Sequence, residues 1–335
     1  MVRTIRNDDS LTVPVPGYGA MGLSQGYGEA NDDQSKEVLR EAIKIGCTFW
    51  NTATIYGADS HNEKLIGEVL REGNNREKVV LTTKWGVKRD ETGTLYTDGS
   101  AAFARECLDN SIKNLGSAPD IWLLHRIDKN TPVEEGVQAM EDARKEGKCK
   151  YIGLSAMSAK TLRRACKVAK IDFVEMEFSP FETGIETDGV IDACKELGVK
   201  VLAYSPLGKG FLTGRFRSFE DFTGKGDMRG IGALPRYDRE NFENNIKLTQ
   251  AIESLAAKKG CTPGQLALAW GMQVHPDLII PIPGTKSIKY LEENFAARDV
   301  ELSQDDIAAV RKAIEENPIV GDQYAGSFAK LMDDE

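Results

Sequence analysis

The feature that most restricts how this chain can fold is the alternation of short β-type runs with amphipathic helical stretches along nearly its whole length. Within the helical stretches apolar residues recur at helical spacing, as at Leu39 and Ile43. The sequence predicts strands over 15–21, 47–51, 78–84, 120–125, 151–155, 173–177, 199–204 and 278–284. It predicts helices over 34–45, 62–71, 102–115, 133–147, 159–168, 188–197, 262–274 and 288–297. This alternation indicates an all-parallel sheet covered by helices.

Such a sheet either stays open as a doubly wound fold or closes into a barrel. No G-x-G-x-x-G follows the first predicted strand, which removes the strongest reason for a dinucleotide-binding open sheet. We therefore predict an α/β fold of the (β/α)8 TIM-barrel type, in a single domain over 1–335. Within it we expect an N-terminal cap over 1–14, a long lid loop after strand 7 over 205–240, and a C-terminal tail over 315–335.

The composition is ordinary for a globular protein, at 41% hydrophobic and 28% charged residues. A formal net charge of -9 argues against a nucleic-acid partner. No apolar run approaches the roughly 20 residues that span a bilayer, and the first residues lack the apolar core of a signal peptide. We therefore expect no membrane partner and a cytoplasmic location. The six cysteines form no C-x-x-C pair, so we predict buried, reduced thiols.

Polar residues stand at the carboxyl ends of successive predicted strands. Alternate residues of a barrel strand point inward, and functional groups collect at these ends. Read by this alternation, the inward residues at the strand ends are Asn51, Lys84, His125, Ser155, Glu175, Glu177 and Tyr204. Their convergence predicts a polar pocket, although a shift of one residue in register would reverse the two faces.

The stretch FWNTATIYG adds Tyr56, in the loop after the second predicted strand. Considered alone, each of these residues has an ordinary structural interpretation. Tyr56 can be a packing residue, Lys84 a strand-end lysine whose ammonium group reaches solvent, and His125 a core or capping histidine. Together they lack the nucleophile and orienting carboxylate of a hydrolase triad, and a total of three histidines argues against a zinc site. A phenol beside a lysine cation can donate a proton to a carbonyl oxygen once its pKa of about 10 is lowered. The matching hydride has to come from a cofactor.

Several segments resemble the aldo-keto reductase superfamily, in the same order and over essentially the whole chain. They are PGYGAMGLS (16–24), NTATIYG (51–57), LTTKWG (81–86), LLHRID (123–128), YIGLS (151–155), VLAYSPLGKGFLTG (201–214) and IPGTKS…LEEN (282–294). Within the superfamily the chain is most similar to the YakC-like and pyridoxal-reductase-like members of fungi and bacteria. The resemblance implies a barrel that reduces an aldehyde or ketone to an alcohol with NADPH.

The resemblance also implies roles for the strand-end residues. Tyr56 is then the general acid, Lys84 the cation that lowers its pKa, and His125 the group that orients the carbonyl. Most relatives carry aspartate at the position of Asn51, where it is ion-paired to the lysine, and many carry glutamine at the position of Glu175. Because an amide cannot neutralise a cation, we expect Lys84 to be left without a counter-ion. An unneutralised Lys84 would lower the pKa of Tyr56 more strongly, but the charged form of Lys84 itself would be less stabilised. The sign of the effect on rate stays open.

The cofactor residues follow in the same way. Tyr204 is expected to stack on the nicotinamide, while Ser155 and Glu175 contact its carboxamide. The loop expected to hold the pyrophosphate comprises Ser205, Pro206, Leu207, Gly208, Lys209, Gly210 and Phe211. The adenosine end is expected to be held by Gly284, Thr285, Lys286, Ser287, Glu293 and Asn294. Lys286 alone reads as a solvated loop lysine, but beside a helix N-terminus it favours NADPH over NADH.

The long segment after the seventh strand is rich in Gly, Arg and Phe. We interpret it as a mobile loop that closes over NADPH, with a disordered insertion as the alternative. Its candidate phosphate partners are Arg215, Arg217, Lys225 and Arg229. For the substrate pocket the predicted apolar walls are Tyr27, Trp85 and Phe211, which suit an aromatic or medium-sized aldehyde.

Two other functions stay open at the level of sequence. One is an NADPH-binding regulatory subunit with little turnover, which the departure at Asn51 favours slightly. The other is a lyase that forms a Schiff base on Lys84, against which the NADPH-type loops argue. The only partner predicted is a small aldehyde or ketone.

Overall fold

The computed structural model describes residues 4–6, 11–222 and 224–332. Its strands are β1 (Thr4–Arg6), β2 (Thr12–Pro14), β3 (Tyr18–Gly19), β4 (Phe49–Asn51), β5 (Val80–Trp85), β6 (Val87–Arg89), β7 (Leu95–Thr97), β8 (Ile121–Leu124), β9 (Tyr151–Ser155), β10 (Phe173–Glu177), β11 (Lys200–Tyr204) and β12 (Ile279–Pro281). Its α-helices are α1 (Asp32–Ile45), α2 (His61–Leu70), α3 (Asn75–Lys78), α4 (Ala101–Leu115), α5 (Val133–Lys145), α6 (Ala159–Ala165), α7 (Val190–Leu197), α8 (Arg239–Lys259), α9 (Pro263–Val274), α10 (Ile288–Ala296), α11 (Gln304–Glu316) and α12 (Gly326–Ala329).

Eight of these strands form one parallel sheet in the order β3-β4-β5-β8-β9-β10-β11-β12. The backbone amide of Gly17 donates to the carbonyl of Pro281 at 2.9 Å, and that of Gly19 donates to Pro283 at 3.1 Å. These bonds join the two edge strands and close the barrel. A side chain at Gly19 would place its Cβ 2.6 Å from the carbonyl oxygen of Ile282, so the close approach requires glycine. The predicted (β/α)8 fold is confirmed.

Successive residues of each barrel strand point to opposite faces. In β5, Lys84 points into the barrel and contacts Glu175 of β10, whereas the next residue, Trp85, points outward. There Trp85 stacks on Trp122 of β8 at 5.5 Å and meets Phe103 of α4 edge-on at 6.4 Å. This outer layer between strands and helices forms the main hydrophobic core, and the barrel interior turns polar at the strand ends.

Helix boundaries follow capping signals in the sequence. The side chain of Ser100 caps α4 and that of Ser158 caps α6, while Thr262 and Gln265 form a capping box at the start of α9. Gly46 follows α1 in the left-handed conformation, with φ of 84°. These local signals explain why the predicted helices agree with the observed ones to within a few residues.

The structure also contains elements that the alternation does not predict. β6 and β7 form an antiparallel hairpin directly after β5. α8 begins inside the segment predicted to be a lid loop and buries Phe242, Ile246 and Ile252. α11 follows the last predicted helix. Within 205–240 the chain forms short 3₁₀ turns over 208–213, 219–222, 228–230 and 235–237.

The chain ends are only partly described. In the predicted N-terminal cap, β1 pairs antiparallel with β2, and residues 1–3 and 7–10 lie outside the described ranges. The last residues of the predicted tail, 333–335, lie outside them as well. Among the described residues, no helix combines the length and apolarity needed to cross a membrane, and no three potential metal ligands cluster. All six cysteines are free thiols, and four of them are buried.

Candidate active site

A cavity of about 900 Å³ opens at the carboxyl ends of the barrel strands. The predicted site residues that line it are Tyr27, Asn51, Tyr56, His125, Glu175, Tyr204, Ser205, Pro206, Leu207, Lys209, Gly210, Gly284, Thr285, Lys286, Glu293 and Asn294. The predicted residues that do not line it are Lys84, Trp85, Ser155, Gly208, Phe211 and Ser287. Closure of the barrel therefore brings most of the predicted set to a single cavity.

Lys84 lies behind the cavity wall with no solvent exposure. Its Nζ donates to Oδ1 of Asn51 and lies 3.2 Å from Oε1 of Glu175. The amide of Asn51 in turn donates to Oε2 of Glu175 at 2.7 Å. Burial lowers the pKa of Lys84, and the Glu175 carboxylate opposes this shift. The expectation that Lys84 lacks a counter-ion is therefore wrong, because a carboxylate reaches it from β10.

Tyr56 is buried beside this group, in the loop after β4. The centre of its ring lies 5.1 Å from Nζ of Lys84 and 5.7 Å from the ring of His125, which it meets edge-on. Burial is the largest influence on the pKa of Tyr56 and raises it, the charge of Glu175 raises it further, and Arg126 lowers it. The predicted lowering by Lys84 is not found, since Lys84 and Glu175 form a neutral pair. The phenol is therefore protonated at neutral pH.

His125 follows β8 and lines the cavity opposite Tyr56. Burial lowers its pKa well below the usual value, and the neighbouring charges of Arg126 and Lys84 lower it further. Its Nδ1 atom is buried without a hydrogen-bond partner in the part of the chain that the structure describes. The imidazole is therefore neutral at physiological pH and can still offer one N–H to a ligand.

Tyr204 and Ser155 lie at the same end of the cavity. Tyr204 lines the cavity, and its hydroxyl lies 3.2 Å from that of Tyr324. Ser155 is fully buried, and its hydroxyl accepts a hydrogen bond from Arg126 at 3.2 Å. Glu177, at the end of β10, accepts from Lys209 at 2.6 Å. Polar contacts thus join the end of β8 to that of β9, and the end of β10 to the turn after β11.

The middle of the cavity is formed by the turn that follows β11. Ser205, Gly208, Lys209 and Gly210 have positive φ angles of 50°, 56°, 50° and 95°. This unusual run of conformations folds the backbone tightly along the cavity wall. It also brings the buried Lys209 ammonium group to the Glu177 carboxylate.

Two residues of this turn do not reach the cavity. Phe211 has no solvent exposure and belongs to an aromatic cluster with Phe181, Phe222, Tyr237 and Phe242. Gly208 lies behind the wall, where its carbonyl accepts from the hydroxyl of Tyr237 at 2.9 Å. The prediction that Phe211 forms a substrate wall is wrong, because the tight turn directs its ring into the core.

The far end of the cavity is formed by the residues before and within α10. Lys286 donates from Nζ to the carbonyls of Tyr27 and Glu29, at 2.8 and 2.7 Å. Ser287 takes the N-cap position of α10 without a side-chain capping bond. Glu293 and Asn294 line the cavity from the next turns of the helix. A helix N-terminus and a lysine thus meet at this end.

The predicted lid contacts the loop that follows β3. The amide of Met228 donates to the carbonyl of Gly26 at 2.9 Å, and that of Gly28 donates to Gly226 at 3.1 Å. These bonds join the two segments where both border the cavity. Residues 226–228 of the segment are therefore held against the loop that follows β3, and residue 223 of the segment lies outside the described ranges.

The four cations proposed as phosphate partners divide into two groups. Arg215 and Arg229 line the cavity, with Arg229 paired to Asp227. Arg217 and Lys225 do not line the cavity. Arg217 pairs with Glu253, and Lys225 pairs with Glu29. Of the four predicted phosphate partners, only Arg215 and Arg229 are placed to contact a ligand in the cavity.

Among the predicted substrate walls, Tyr27 lines the cavity and Trp85 does not. Trp85 has no solvent exposure and packs against Trp122. The physical reason is the alternation of β5: since Lys84 points inward, its neighbour must point outward. The prediction for Trp85 is therefore wrong.

Several cavity residues were not predicted from the sequence. Val87, Arg89 and Leu95 come from the β6–β7 hairpin, and Tyr324 and Leu331 come from the predicted tail. The hairpin had a signal, because two β-type runs flank the turn sequence DETG. In the tail, Tyr324 is an aromatic residue within a largely polar stretch. A further residue, Arg126, directly follows His125.

Comparison with known proteins shows extended similarity. A profile described as the aldo/keto reductase family matches residues 17–315. The chain is 40% identical over 337 residues to the NADP(+) aldo-keto reductase yakc of Schizosaccharomyces pombe, which covers 99% of this chain and 97% of that protein. It is 42% identical to an aldo-keto reductase of Gibberella moniliformis, with 97% of each covered.

Solved structures show the same fold at lower identity. A glycerol dehydrogenase from Gluconobacter oxydans superposes with a TM-score of 0.83 at 24% identity, covering 96% of this chain and 98% of that one. An aldo-keto reductase from Bacillus halodurans superposes with a TM-score of 0.75 at 21% identity, covering 93% and 96%. At this level of identity the likeness concerns the fold.

Proposed function

The chain belongs to the aldo/keto reductase family, and from this premise we propose that it reduces the carbonyl group of an aldehyde or ketone to an alcohol, with NADPH as the hydride donor. One observation carries the proposal. A single cavity joins Tyr56 and His125 at one end to the turn after β11 and to Lys286 at the other. A carbonyl compound and an extended dinucleotide can therefore share it.

The residues along the cavity fit NADPH. The backbone turn over 205–210 suits a pyrophosphate, because Gly210 lines the cavity without a side chain and lets a phosphate approach the backbone. The start of α10, which has no side-chain cap, together with Lys286 suits the adenosine 2′-phosphate. The relative from Schizosaccharomyces pombe is named for NADP(+). When bound, NADPH supplies the hydride that reduces the carbonyl carbon.

The protein's own groups then have distinct tasks in the proposed reaction. Tyr56, kept protonated by burial, gives its proton to the carbonyl oxygen as negative charge develops there. His125, kept neutral by burial and by neighbouring cations, hydrogen-bonds the same oxygen and orients it. Lys84 stays fixed 5.1 Å from the centre of the phenol ring through Asn51 and Glu175. Because Glu175 balances its charge, the part of Lys84 in the proposed reaction is to hold the wall beside the phenol in place.

The proposal is tested by mixing the protein with NADPH and a series of aromatic and aliphatic aldehydes and ketones. The expected result is loss of NADPH absorbance together with one equivalent of alcohol for each NADPH consumed. Tight NADPH binding without turnover of any carbonyl compound would instead identify a regulatory subunit.

The structure gives less support than the sequence does to the two other functions, a regulatory subunit and a Schiff-base lyase. The sequence favours a regulatory subunit only through the amide at Asn51, which cannot neutralise Lys84. In the structure, Glu175 is the counter-ion of Lys84. A Schiff-base lyase needs an accessible lysine nucleophile, whereas Lys84 is fully buried and ion-paired.

Replacing Lys286 with alanine is expected to raise the KM for NADPH by about 10- to 100-fold, the range expected for losing a charge-assisted phosphate contact. The KM for NADH is expected to change by less than about threefold, because NADH lacks the 2′-phosphate. Steady-state kinetics with both cofactors measures the difference. Lys289→Ala is the matched control, since Lys289 is an exposed lysine in the first turn of α10, three residues after Lys286. An equal loss for NADPH and NADH would contradict the assignment.

A further inference from the structure

We propose that the carbonyl substrate carries a carboxylate group and that Arg126 binds it. The inference deepens the proposed function and rests on it, since it concerns the substrate of the same site. It starts from the position of Arg126, which directly follows His125 and lines the cavity. Its guanidinium carbon lies 5.9 Å from the ring centre of Tyr204.

Three other cations around this end of the cavity have counter-ions, whereas the exposed Arg89 of the β6–β7 hairpin lines the cavity and donates to the carbonyl of Gly93. Lys84 is paired with Glu175 at 3.2 Å and Lys209 with Glu177 at 2.6 Å. The Arg229 guanidinium donates through Nε to Asp227 at 2.8 Å. In contrast, within residues 4–6, 11–222 and 224–332, no carboxylate comes within ion-pair distance of Arg126. Arg126 therefore carries a positive charge next to Tyr56 and His125 that no carboxylate of the described residues pairs with.

The hydrogen bonds of Arg126 leave a particular edge of its guanidinium available. Nη1 is engaged, since it donates to the carbonyl of His125 at 2.8 Å and to the hydroxyl of Ser155 at 3.2 Å. Nε and Nη2 have no partner among the described residues, and both keep accessible surface, unlike the sealed indole nitrogens of Trp85 and Trp122. The two bonds through Nη1 hold the group in place with this edge towards the cavity.

This edge matches a carboxylate. Arginine binds a carboxylate side-on through Nε and Nη2, with two parallel hydrogen bonds. The chain itself shows the geometry, because Arg40 holds Glu72 through these two nitrogens at 2.9 and 2.7 Å. The phosphates of NADPH are already assigned to the turn over 205–210 and to Lys286. The unbalanced charge of Arg126 is therefore left for the substrate.

The surrounding walls specify the rest of the substrate. Ile55, Val87 and Leu95 line the cavity along with Tyr56 and His125. Such walls favour an apolar body between the carbonyl and the anion. The substrate class is accordingly an aldehyde or ketone whose hydrocarbon or aromatic body carries a carboxylate. This class keeps the aromatic or medium-sized aldehyde expected from the sequence and adds a carboxylate to it.

The test compares para-carboxybenzaldehyde with para-formylbenzamide, which has nearly the same shape and no charge. The wild-type enzyme with NADPH is expected to show a kcat/KM at least about tenfold higher for the carboxylate, as a charge-assisted bidentate contact implies. Arg126→Gln is expected to lower kcat/KM for the carboxylate about 30-fold more than kcat/KM for the amide, because any effect of the change on Tyr56 and His125 is shared by both substrates. Arg126→Lys keeps the charge but loses the two parallel N–H donors of the guanidinium. Its kcat/KM for the carboxylate is expected to lie between those of the wild-type enzyme and Arg126→Gln.

Three outcomes would overturn the proposal. They are an equal loss for both substrates in Arg126→Gln, no preference for the carboxylate in the wild-type enzyme, and a loss that follows Arg89→Gln instead. Arg89 is the relevant comparison, because it is an exposed arginine that lines the same cavity next to Val87 and Leu95. Thermal melting establishes that each variant is folded.

A failure of the proposed function itself gives a different result, since then neither aldehyde is reduced. In that event the carboxylate site is tested by calorimetric titration with benzoate and with benzamide, in the presence of NADP⁺. Binding of benzoate that Arg126→Gln abolishes would support the site. Equal binding of benzoate by the wild-type protein and by Arg126→Gln would overturn it.

Discussion

Replacing Tyr56 with phenylalanine is expected to lower kcat for carbonyl reduction by about a thousandfold, within the range that general acid catalysis contributes. The change removes one hydroxyl and keeps the ring that packs edge-on against His125. Because the phenol is buried and protonated, no other described group of the cavity next to it can supply the proton equally well: His125 is neutral, and Lys84 is sealed behind the wall and held by Asn51 and Glu175. The measurement is kcat together with the dissociation constant of NADPH.

The NADPH affinity of Tyr56→Phe is expected to stay within about threefold of wild type, since the cofactor contacts proposed above do not include this hydroxyl. Tyr324→Phe provides the matched variant, as it removes a hydroxyl from the same cavity. It is expected to lower kcat by less than about tenfold, the size of a supporting hydrogen bond. Activity of Tyr56→Phe within tenfold of wild type would remove Tyr56 as the proton donor.

The sequence predicted the barrel because its signals are local. Apolar spacing, capping residues and terminal glycines each depend on a few neighbouring positions, and they placed eight strands and eight helices. The inward residues at strand ends follow from the same alternation once the register is known. Asn51, Lys84 and Glu175 do meet inside the barrel. In this sense much of the candidate site could be read before the structure.

What the sequence could not provide depends on contacts between distant segments. The pairing of Lys84 with Glu175 joins residues on β5 and β10, and no local pattern encodes it. Phe211 was misplaced because the backbone reverses through several positive φ angles just before it. Tyr324 reaches the cavity only through tertiary packing of the tail. α8 had a helical pattern, but its start lies within a glycine-rich segment that reads as a loop.

Replacing Glu175 with glutamine is expected to lower the free energy of unfolding by about 3–5 kcal/mol at neutral pH, the usual cost of leaving a buried charge unpaired. Glu175 and Lys84 are both buried, and the change leaves the ammonium group with only neutral oxygens near it. Burial already lowers the pKa of Lys84, and loss of Glu175 lowers it further. A lysine with a lowered pKa destabilises the fold only while it is charged. The difference from wild type is therefore expected to narrow as pH rises, which denaturant unfolding at several pH values measures.

The same residues allow the charge to be moved instead of removed. In the double variant Asn51→Asp with Glu175→Gln, the introduced aspartate faces Lys84 from β4, where Asn51 now accepts its hydrogen bond. It is expected to recover most of the stability that Glu175→Gln loses. Asn51→Asp alone is expected to be destabilising, since two carboxylates at the 2.7 Å separation of the present contact cannot both ionise. If the double variant is no better than Glu175→Gln alone, then Glu175 acts through something other than its charge on Lys84, such as a direct contact with the cofactor.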